Sequence, residues 1–360
     1  MIYLDYQATT PLAPEALAAM LPWLQSQHAN PHSPHAPGRA AKAAVEVARG
    51  QVGALLPAGG QIAFTSGATE ALNWAIKGTT GPIVTLATEH AAVLDTVAAT
   101  GRAVTVLPVG ADGLVDLEVA RAAIVPGTGL VAAMLVNNEI GVIQPVEALA
   151  ALAHAAGALF LCDAVQGYGR VPIPPSCDLV AISAHKIHGP KGIGALWVRD
   201  GVTLAPLLHG GGQETLGRSG TLSPALCAGF GAAAKVAAMR AEADAVHVSR
   251  LSAMAVARLS DGWQRNGSAA HRYAGNLNLH RAGLDVARLM SDLRDIAFSA
   301  GSACASGSGR PSHVLRALGL SDSEARSSIR IGFGRMTTEE ELMTALARLC
   351  AAADAQRVAA

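Results

Sequence analysis

Short apolar runs alternate with longer stretches of helical periodicity through the middle of the chain, from residue 61 to residue 198. The short runs are typical of buried strands because they are aliphatic and are bounded by Gly, Pro and polar residues. The predicted strands are residues 62–65, 83–86, 104–108, 130–136, 158–163, 179–183 and 194–198. The predicted helices among them include residues 69–77, 90–100 and 145–156. This alternation predicts a mostly parallel, seven-stranded α/β sheet with helices on both faces.

The C-terminal third shows a different pattern. A long helical stretch over residues 232–258 is followed by shorter strand patterns at 275–279 and 328–333. Two further helices are predicted at 284–294 and 339–353, and the Gly- and Ser-rich stretch 299–312 is typical of a loop. We therefore predict a large domain over residues 13–245. A smaller α+β domain is predicted from residues 1–12 and 246–360.

Composition narrows the class of protein. A hydrophobic content of 51% with 15% charged residues indicates a globular chain with a large core. Lys plus Arg and Asp plus Glu both number 27 and no basic block stands out, which argues against direct nucleic-acid binding. The apolar stretches are shorter than the ~20 residues of a membrane span, and the N-terminus does not resemble a signal peptide. Five dispersed cysteines without a Cys-x-x-Cys pair argue against a disulfide framework or a structural zinc site, and they favour the cytoplasm.

Lys186 is the first candidate for chemistry. It lies in Ser183-Ala-His-Lys-Ile-His-Gly-Pro-Lys-Gly192, directly after a predicted buried strand. A desolvated lysine loses its proton more easily, and the free amine can condense with an aldehyde to a Schiff base. A surface lysine ahead of a turn is the alternative that this stretch alone leaves open.

Three further clusters follow predicted strands at the edge where open α/β sheets bind ligands. The segment Thr65-Ser-Gly-Ala-Thr-Glu70 could form an anion site at a helix N-terminus, or Ser66 or Thr69 could be an ordinary helix cap. Asp163 could pair with a protonated pyridine nitrogen or cap a helix. His90 could stack on a flat ring and carry protons, or it could be structural.

Other candidates come from single positions. Asn137-Asn138-Glu139 offers amides to a ring substituent or a substrate carboxylate, or forms a polar loop. Arg330 interrupts an apolar strand, where it could clamp a substrate carboxylate or form a structural ion pair. Cys304 lies among small residues near Arg310, which could favour a thiolate, although most cysteines are buried hydrophobes. The remaining cysteines, in apolar contexts, are predicted to be structural: Cys162, Cys177, Cys227 and Cys350.

Taken together, these segments resemble one family closely. In order along the chain they are Asn30-Pro-His-Ser, Thr65-Ser-Gly-Ala-Thr-Glu, Thr88-Glu-His, Val136-Asn-Asn-Glu-Ile-Gly, Asp163-Ala-Val-Gln, Ser183-Ala-His-Lys, Arg218-Ser-Gly-Thr, Gly301-Ser-Ala-Cys and Ser328-Ile-Arg. The chain is similar over nearly its whole length to pyridoxal-phosphate-dependent cysteine desulfurases of the NifS/IscS group, within the class-V aminotransferase family.

The resemblance implies a fold-type I homodimer with pyridoxal 5'-phosphate in each cleft between domains. Lys186 would hold the cofactor covalently, Asp163 would pair with its ring nitrogen and His90 would stack on the ring. Asn138 and Gln166 would reach the ring hydroxyl region, and Arg330 would take the substrate carboxylate. The phosphate would be held by Ala68, Thr69, Ser183 and His185, with Thr221 reaching it from the other subunit.

The implied reaction converts L-cysteine to L-alanine and leaves a persulfide on Cys304, with Lys186 and His90 as proton carriers. The sulfur would pass to an acceptor protein for iron–sulfur cluster assembly or tRNA thiolation. No resident metal is expected, although Cys304 could ligate a cluster transiently. Gln7 and His32 depart from the family pattern and are expected to lie outside the core chemistry. Because the chain ends soon after Cys350, docking of a scaffold protein is expected to differ from that of longer members. Selenocysteine lyase activity, ordinary transamination and a non-catalytic scaffold are the alternatives.

Overall fold

The computed structural model describes residues 1–259, 261–301 and 311–358, and within these ranges seven strands form the largest sheet. The strands of the chain are β1 (Ile2–Tyr3), β2 (Gly60–Thr65), β3 (Ile83–Leu86), β4 (Val104–Leu107), β5 (Leu130–Met134), β6 (Leu159–Asp163), β7 (Leu179–Ser183), β8 (Gly194–Arg199), β9 (Trp263–Arg265), β10 (Asn276–Arg281), β11 (Ile296–Ala297), β12 (Ser299–Ala300) and β13 (Ser328–Gly332). The order in the large sheet is β2-β8-β7-β6-β5-β3-β4. Only β8 runs antiparallel to its neighbours there, so the prediction of a mostly parallel sheet is confirmed.

Helices cover both faces of this sheet. They are α1 (Pro14–Gln25), α2 (Ala36–Gly53), α3 (Ala68–Gly78), α4 (Ala91–Ala99), α5 (Leu117–Ala123), α6 (Val146–Ala155), α7 (Pro224–Arg258), α8 (Val286–Asp292), α9 (His313–Ala317), α10 (Asp322–Arg326) and α11 (Glu339–Val358). Val180 and Ile182 of β7 join the core cluster that contains residues of α2 and α7, whereas Leu179 and Ala181 join the cluster with α3 and α4. The alternation places successive side chains on opposite faces, as a doubly covered sheet requires.

Each of the seven strands of the large sheet lies where the apolar pattern predicts it, to within two residues at either end. The first two helices were not predicted. The buried face of α2 consists of small or β-branched residues, and α1 contains Pro22 in its interior, so neither carries a strong aliphatic period. α7 begins at Pro224, eight residues before the predicted start at 232 (232 − 224). The predicted loop 299–312 begins with β12, and Ser312 caps α9.

A second core lies around the four-stranded antiparallel sheet β12-β13-β10-β9. Along α7, residues up to Ala237 pack in the first core, and Val248, Leu251 and Ala255 pack in the second. Leu4 belongs to the second core too, and β1 pairs with β11. We propose that the domain boundary falls near residue 245 of α7, between these two sets of contacts. The small domain then contains residues 1–12 and 246–360.

The N-terminal segment leaves the second core and runs onto the turn that follows β7. The Thr10 N–H and hydroxyl both donate to the His185 carbonyl, at 3.0 and 2.9 Å, and the Thr10 hydroxyl accepts the His188 N–H at 2.7 Å. His188 has a φ of 68°, in the left-handed region, and its Nδ1 donates to the Pro11 carbonyl at 2.9 Å. These contacts fix the turn that carries Lys186.

We expect the free energy of unfolding to fall as pH is lowered from about 6.5 toward 4, with His188 causing part of the slope. Burial, and secondarily Arg335 and Arg170, lower the pKa of His188 from 6.5 to about 4, although the Pro11 carbonyl and Asp244 oppose the shift. The unfolded chain therefore takes up this proton first, so folding is favoured less at lower pH. His188→Asn removes the titratable imidazole, and asparagine can adopt the positive φ of this position.

Denaturant unfolding at several pH values should give a smaller slope for His188→Asn than for the wild type. The exposed His28 supplies the control, because His28→Asn should leave the slope unchanged. Equal slopes for His188→Asn and the wild type would contradict the assignment.

Candidate active site

One cavity of about 620 Å³ collects most of the predicted site residues. Its lining includes Ala68, Thr69, His90, Asn138, Asp163, Gln166, Ser183, His185, Lys186 and Arg330. Most of them follow β2, β3, β5, β6 and β7, whose carboxyl ends meet at one edge of the large sheet. Arg330 comes from β13 of the second sheet and closes the cavity from the other side.

Lys186 lies half-buried at the end of a 3₁₀ turn, Ala184–Lys186, directly after β7. Its Nζ donates to the main-chain carbonyls of Gln7, at 2.5 Å, and Ala8, at 2.9 Å. The alternative of a plain surface lysine is therefore wrong. The expectation that Gln7 lies away from the chemistry is also wrong, since Gln7 lines the cavity and holds the lysine. His32, by contrast, does not line this cavity.

Asp163 ends β6 and is only 5% exposed. Its Oδ1 accepts the Val165 N–H at 3.0 Å, and the chain then enters a turn, so Asp163 does not cap a helix. Burial raises the pKa of this carboxyl, while the Val165 N–H and the charges of His90 and Lys186 pull the pKa down. A cation placed against this carboxyl would favour its ionised form.

His90 has a structural role and also borders the cavity. It is the N-cap of α4, where its Nδ1 accepts the Ala92 N–H at 3.0 Å. The neutral ring must therefore carry its proton on Nε2. Because the ring also lines the cavity, this structural bond orients a side chain that can exchange a proton there.

The N-terminus of α3 lies at another wall of the cavity. Its N-cap is Gly67, with no side-chain cap, so neither Ser66 nor Thr69 has the predicted capping role. Glu70 instead accepts the Ser66 N–H at 2.7 Å and binds Arg218 through two bonds of 2.8 and 3.2 Å. The first N–H groups of a helix have no intrahelical partners, which makes Ala68 and Thr69 suitable for an anion.

Two neighbouring features shape this anion site. Gly194 of β8 must lack a side chain, because a Cβ there would lie 2.5 Å from the Ile182 carbonyl and 2.8 Å from the Gly67 Cα. Burial, helped by the charges of Lys186, Lys191 and Arg170, lowers the pKa of His185 to about 4. Its ring is therefore neutral near pH 7, with Nδ1 3.1 Å from the Thr9 hydroxyl.

Gln166 and Arg170 form a support behind Lys186. Gln166 Nε2 donates to the Gln7 carbonyl at 2.8 Å, and its Oε1 accepts from Arg170 at 2.8 Å. Arg170 also donates to the Lys186 carbonyl at 2.6 Å. No sequence pattern pointed to Arg170, because it lies four residues after Gln166 in an irregular turn.

Arg330 is fully buried and forms an ion pair, one of the two roles that the sequence left open. Its Nη2 donates to the Asp5 carboxylate at 2.7 Å, and its Nη1 donates to the Asn138 carbonyl at 3.1 Å. The structural ion pair therefore exists, yet the side chain still lines the cavity. Among the described residues, none accepts a hydrogen bond from its Nε.

Thr221 is exposed and does not line the cavity. The predicted acceptor Cys304 lies outside the described residues. The chain is anchored on both sides of residues 302–310. On one side, Ser299 pairs with Arg330 between β12 and β13, and the Gly301 N–H donates to the Ser328 carbonyl at 2.7 Å. On the other side, the buried Ser312 hydroxyl donates to Glu139 Oε2 at 2.5 Å.

The other cysteines are structural, as predicted. Cys162, Cys177, Cys227 and Cys350 are all buried and unpaired. Burial raises the pKa of Cys227 to about 12, so its thiolate is not formed at neutral pH. Within the described ranges, no group of His, Cys, Asp and Glu side chains could hold a metal ion. The same ranges contain no helix long and apolar enough to span a membrane.

Comparison with known proteins finds relatives of both the sequence and the fold. Residues 2–344 match the family model described as aminotransferase class-V. The chain is 45% identical to cysteine desulfurase IscS of Rickettsia bellii, over 97% of this chain and 90% of that protein. It is 44% identical to cysteine desulfurase IscS of Rickettsia akari, over 99% of this chain and 92% of that protein.

Solved structures agree with this result. A NifS-like protein superposes with a TM-score of 0.89 at 32% identity, covering 97% of this chain and 98% of the other. A NifS-like protein from Rickettsia africae gives a TM-score of 0.91 at 29% identity, covering 98% and 99%. A match over nearly the whole length, in sequence and in fold, identifies this chain as a member of the class-V aminotransferase family.

Proposed function

We propose that this protein is a pyridoxal-phosphate-dependent cysteine desulfurase that converts L-cysteine to L-alanine and transfers the sulfur to Cys304. The observation that carries the proposal is the meeting of Lys186, Asp163, His90 and Arg330 in one cavity. The relatives named cysteine desulfurase IscS support the choice of substrate.

The residues present fit the proposed cofactor. Lys186 offers an amine for an aldehyde, and the buried Asp163 carboxyl suits a protonated ring nitrogen. Ala68, Thr69, Ser183 and His185 would hold the phosphate, with Thr221 contributed by a second subunit. His90 would stack on the ring, and Gln166 and Asn138 would reach its hydroxyl region. When bound, the cofactor supplies an electron sink for negative charge at the substrate Cα.

The chain's own groups would then bind the amino acid and move its protons. Arg330, with a buried Nε that no described residue engages, would take the α-carboxylate, and Asn138 borders the same region. Lys186 and His90 both line the cavity and can carry protons to and from the substrate. Since the His90 proton resides on Nε2 in the neutral ring, that atom is its donor.

The sulfur step requires a thiol near the same cavity. Cys304 comes three positions after Gly301, which limits their Cα–Cα distance to about 10 Å by chain geometry alone. The Cys304 sulfur would attack the substrate sulfur, so that an S–S bond forms, the substrate C–S bond breaks and a proton adds to carbon. The products are a Cys304 persulfide and L-alanine, with no external oxidant or reductant.

Three other functions make different predictions. A selenocysteine lyase shares the cofactor site but depends far less on Cys304. Ordinary transamination requires a keto acid and is indifferent to that thiol. A non-catalytic scaffold would tolerate loss of Lys186, which the placement of Lys186, His90 and Asp163 in one cavity disfavours.

We further propose a homodimer that acts in the cytoplasm and passes sulfur to an acceptor protein for iron–sulfur assembly or tRNA thiolation. Support for the dimer is indirect. Thr221 is exposed in the single chain, and Arg218 in the same loop is tied to Glu70 beside the anion site. Cys304 could also ligate an iron–sulfur cluster transiently during transfer.

The first prediction concerns the acceptor thiol. Brief exposure of the purified protein to L-cysteine without reductant should add one sulfur atom to the Cys304 peptide and release alanine. Peptide mass mapping and amino-acid analysis measure both. Cys304→Ser should lose the added sulfur, whereas Cys350→Ala, which changes a buried cysteine, should keep it. Normal sulfide production by Cys304→Ser would reject the acceptor role.

A second prediction concerns substrate binding. Arg330→Ala should raise KM for L-cysteine about 10- to 150-fold, because a charge-assisted hydrogen bond contributes about 1.5–3 kcal/mol. Steady-state kinetics with verified cofactor content measure the effect. An unchanged KM would leave Arg330 with only its structural ion pair to Asp5.

A third prediction concerns Thr221. Thr221→Glu should lower activity by at least about tenfold, because a carboxylate beside the phosphate costs several kcal/mol. A mixed dimer of one Lys186→Ala chain and one Thr221→Glu chain should regain about half of the wild-type activity. Its intact lysine would face the intact Thr221 of the other chain. Differently tagged chains allow this dimer to be purified.

The control for this experiment places both changes on one chain and pairs that chain with the wild type. If Thr221 acts across the interface, this dimer should be nearly inactive, because each site then contains one changed residue. If the control dimer has about half of the wild-type activity and the first mixed dimer has little, Thr221 acts in the active site of its own chain.

A further inference from the structure

Arg330 carries a buried positive charge that the protein itself neutralises. Its side chain is 1% exposed, and its ion-pair partner is Asp5, whose side chain is 19% exposed. An unpaired guanidinium at this depth would be strongly unfavourable, so the pair is needed even when no ligand is present. Asp5 is not among the described residues that line the cavity, so it engages Arg330 from outside the ligand space.

The three guanidinium nitrogen atoms of Arg330 differ in their contacts. Nη2 donates to Asp5 Oδ1 at 2.7 Å and to the Ser299 hydroxyl at 3.1 Å, while Nη1 donates to the Asn138 carbonyl at 3.1 Å. Nε is buried and has no acceptor among the described residues. Buried donors without partners are uncommon in native proteins and point to a missing ligand.

Asp5 is itself held rigidly. The Ser299 hydroxyl donates to its Oδ1 at 2.8 Å, and its main chain forms a parallel bridge with Gly332, two residues after Arg330. Its carbonyl also accepts the N–H groups of Ala8 and Thr9, at 2.9 and 3.3 Å. The Asp5 carboxylate is therefore held by contacts other than its ion pair with Arg330, so it can orient the plane of the guanidinium.

We propose that Asp5 is a positioning residue for the carboxylate subsite. It holds Nη2 so that Nε remains available for the α-carboxylate of the amino acid. This inference rests on the proposed function for the identity of the ligand, although the geometry is independent of the sulfur chemistry. Because Asp5 already balances the charge of Arg330, the subsite recognises the carboxylate by hydrogen-bond direction more than by net charge.

The same N-terminal segment also holds the lysine that would bind the cofactor. Two residues beyond Asp5, the carbonyls of Gln7 and Ala8 hold the Lys186 amine. One stretch of four residues therefore contacts both the group that would hold the cofactor and the group that would hold the substrate carboxylate. The distance between these two cations is set in part by this stretch.

The test is calorimetric titration of the holoenzyme with L-alanine and with L-alaninamide, which lacks the carboxylate. Asp5→Ala should weaken L-alanine binding by about tenfold or more, since a hydrogen bond between ions is lost. Binding of L-alaninamide should stay unchanged. Asp5→Asn keeps an oxygen for Nη2 and should restore L-alanine affinity to within about threefold of the wild type.

Two more variants make the test sharper. Ser299→Ala removes the hydroxyl that bridges Asp5 and Arg330 and should weaken L-alanine binding severalfold, which provides a readout should Asp5→Ala fail to fold. Asp295→Ala is the matched control, because it removes an exposed Asp–Arg pair, that with Arg348, and neither residue lines the cavity. It should leave both affinities unchanged.

The possible results separate cleanly. Unchanged preference for L-alanine over L-alaninamide in Asp5→Ala would overturn the proposal, and so would an Asp5→Asn variant as impaired as Asp5→Ala. An Asp5-dependent preference in a protein that adds no sulfur to Cys304 would remove the desulfurase function and keep the role of Asp5. Sulfur addition to Cys304 with no effect of Asp5→Ala on L-alanine binding would keep the desulfurase function and reject the role of Asp5.

Discussion

Burial of charge at the cavity between the two cores is the constraint on which the site depends. Asp163 and Arg330 are buried and Lys186 is half-buried beside them, and an isolated ion in such a place would be costly. The fold meets this cost differently for each group. Arg330 has the Asp5 carboxylate, Lys186 has two main-chain carbonyls, and Asp163 has a backbone N–H and the nearby charge of Lys186.

Three of these partners, Asp5, Gln7 and Ala8, come from the first ten residues and are far from Lys186 and Arg330 in sequence. The bond between Lys186 and Gln7 spans 179 positions, and that between Arg330 and Asp5 spans 325. The segment is held in place by main-chain pairing with the second core and by the Thr10 contacts to the turn after β7. A change that loosens its pairing would therefore disturb the site without touching a ligand.

The sequence predicted the central sheet well because each of its strands contains a short, mostly apolar run bounded by Gly, Pro or polar residues. It also indicated which side chains come together, since parallel strands present their carboxyl ends at one edge. It could not show the supporting groups. Gln7 acts through its carbonyl, which every residue possesses, and Arg170 reaches Lys186 through a turn that no periodicity describes. The interior Pro22 of α1 and the small or β-branched buried residues of α2 obscured the periodicity of two helices that pack against α7.

The separation of these charged groups also gives the cavity a direction. The start of α3, the Asp163 carboxyl and the Arg330 guanidinium lie on different elements, β2–α3, β6 and β13. Under the proposed function, the phosphate would be favoured at the start of α3, the cationic ring beside Asp163 and the substrate carboxylate beside Arg330. A phosphate beside an ionised Asp163 would instead be repelled. The placement of charge would thus favour one arrangement of the ligands, and the proposed proton carriers, Lys186 and His90, line the same space.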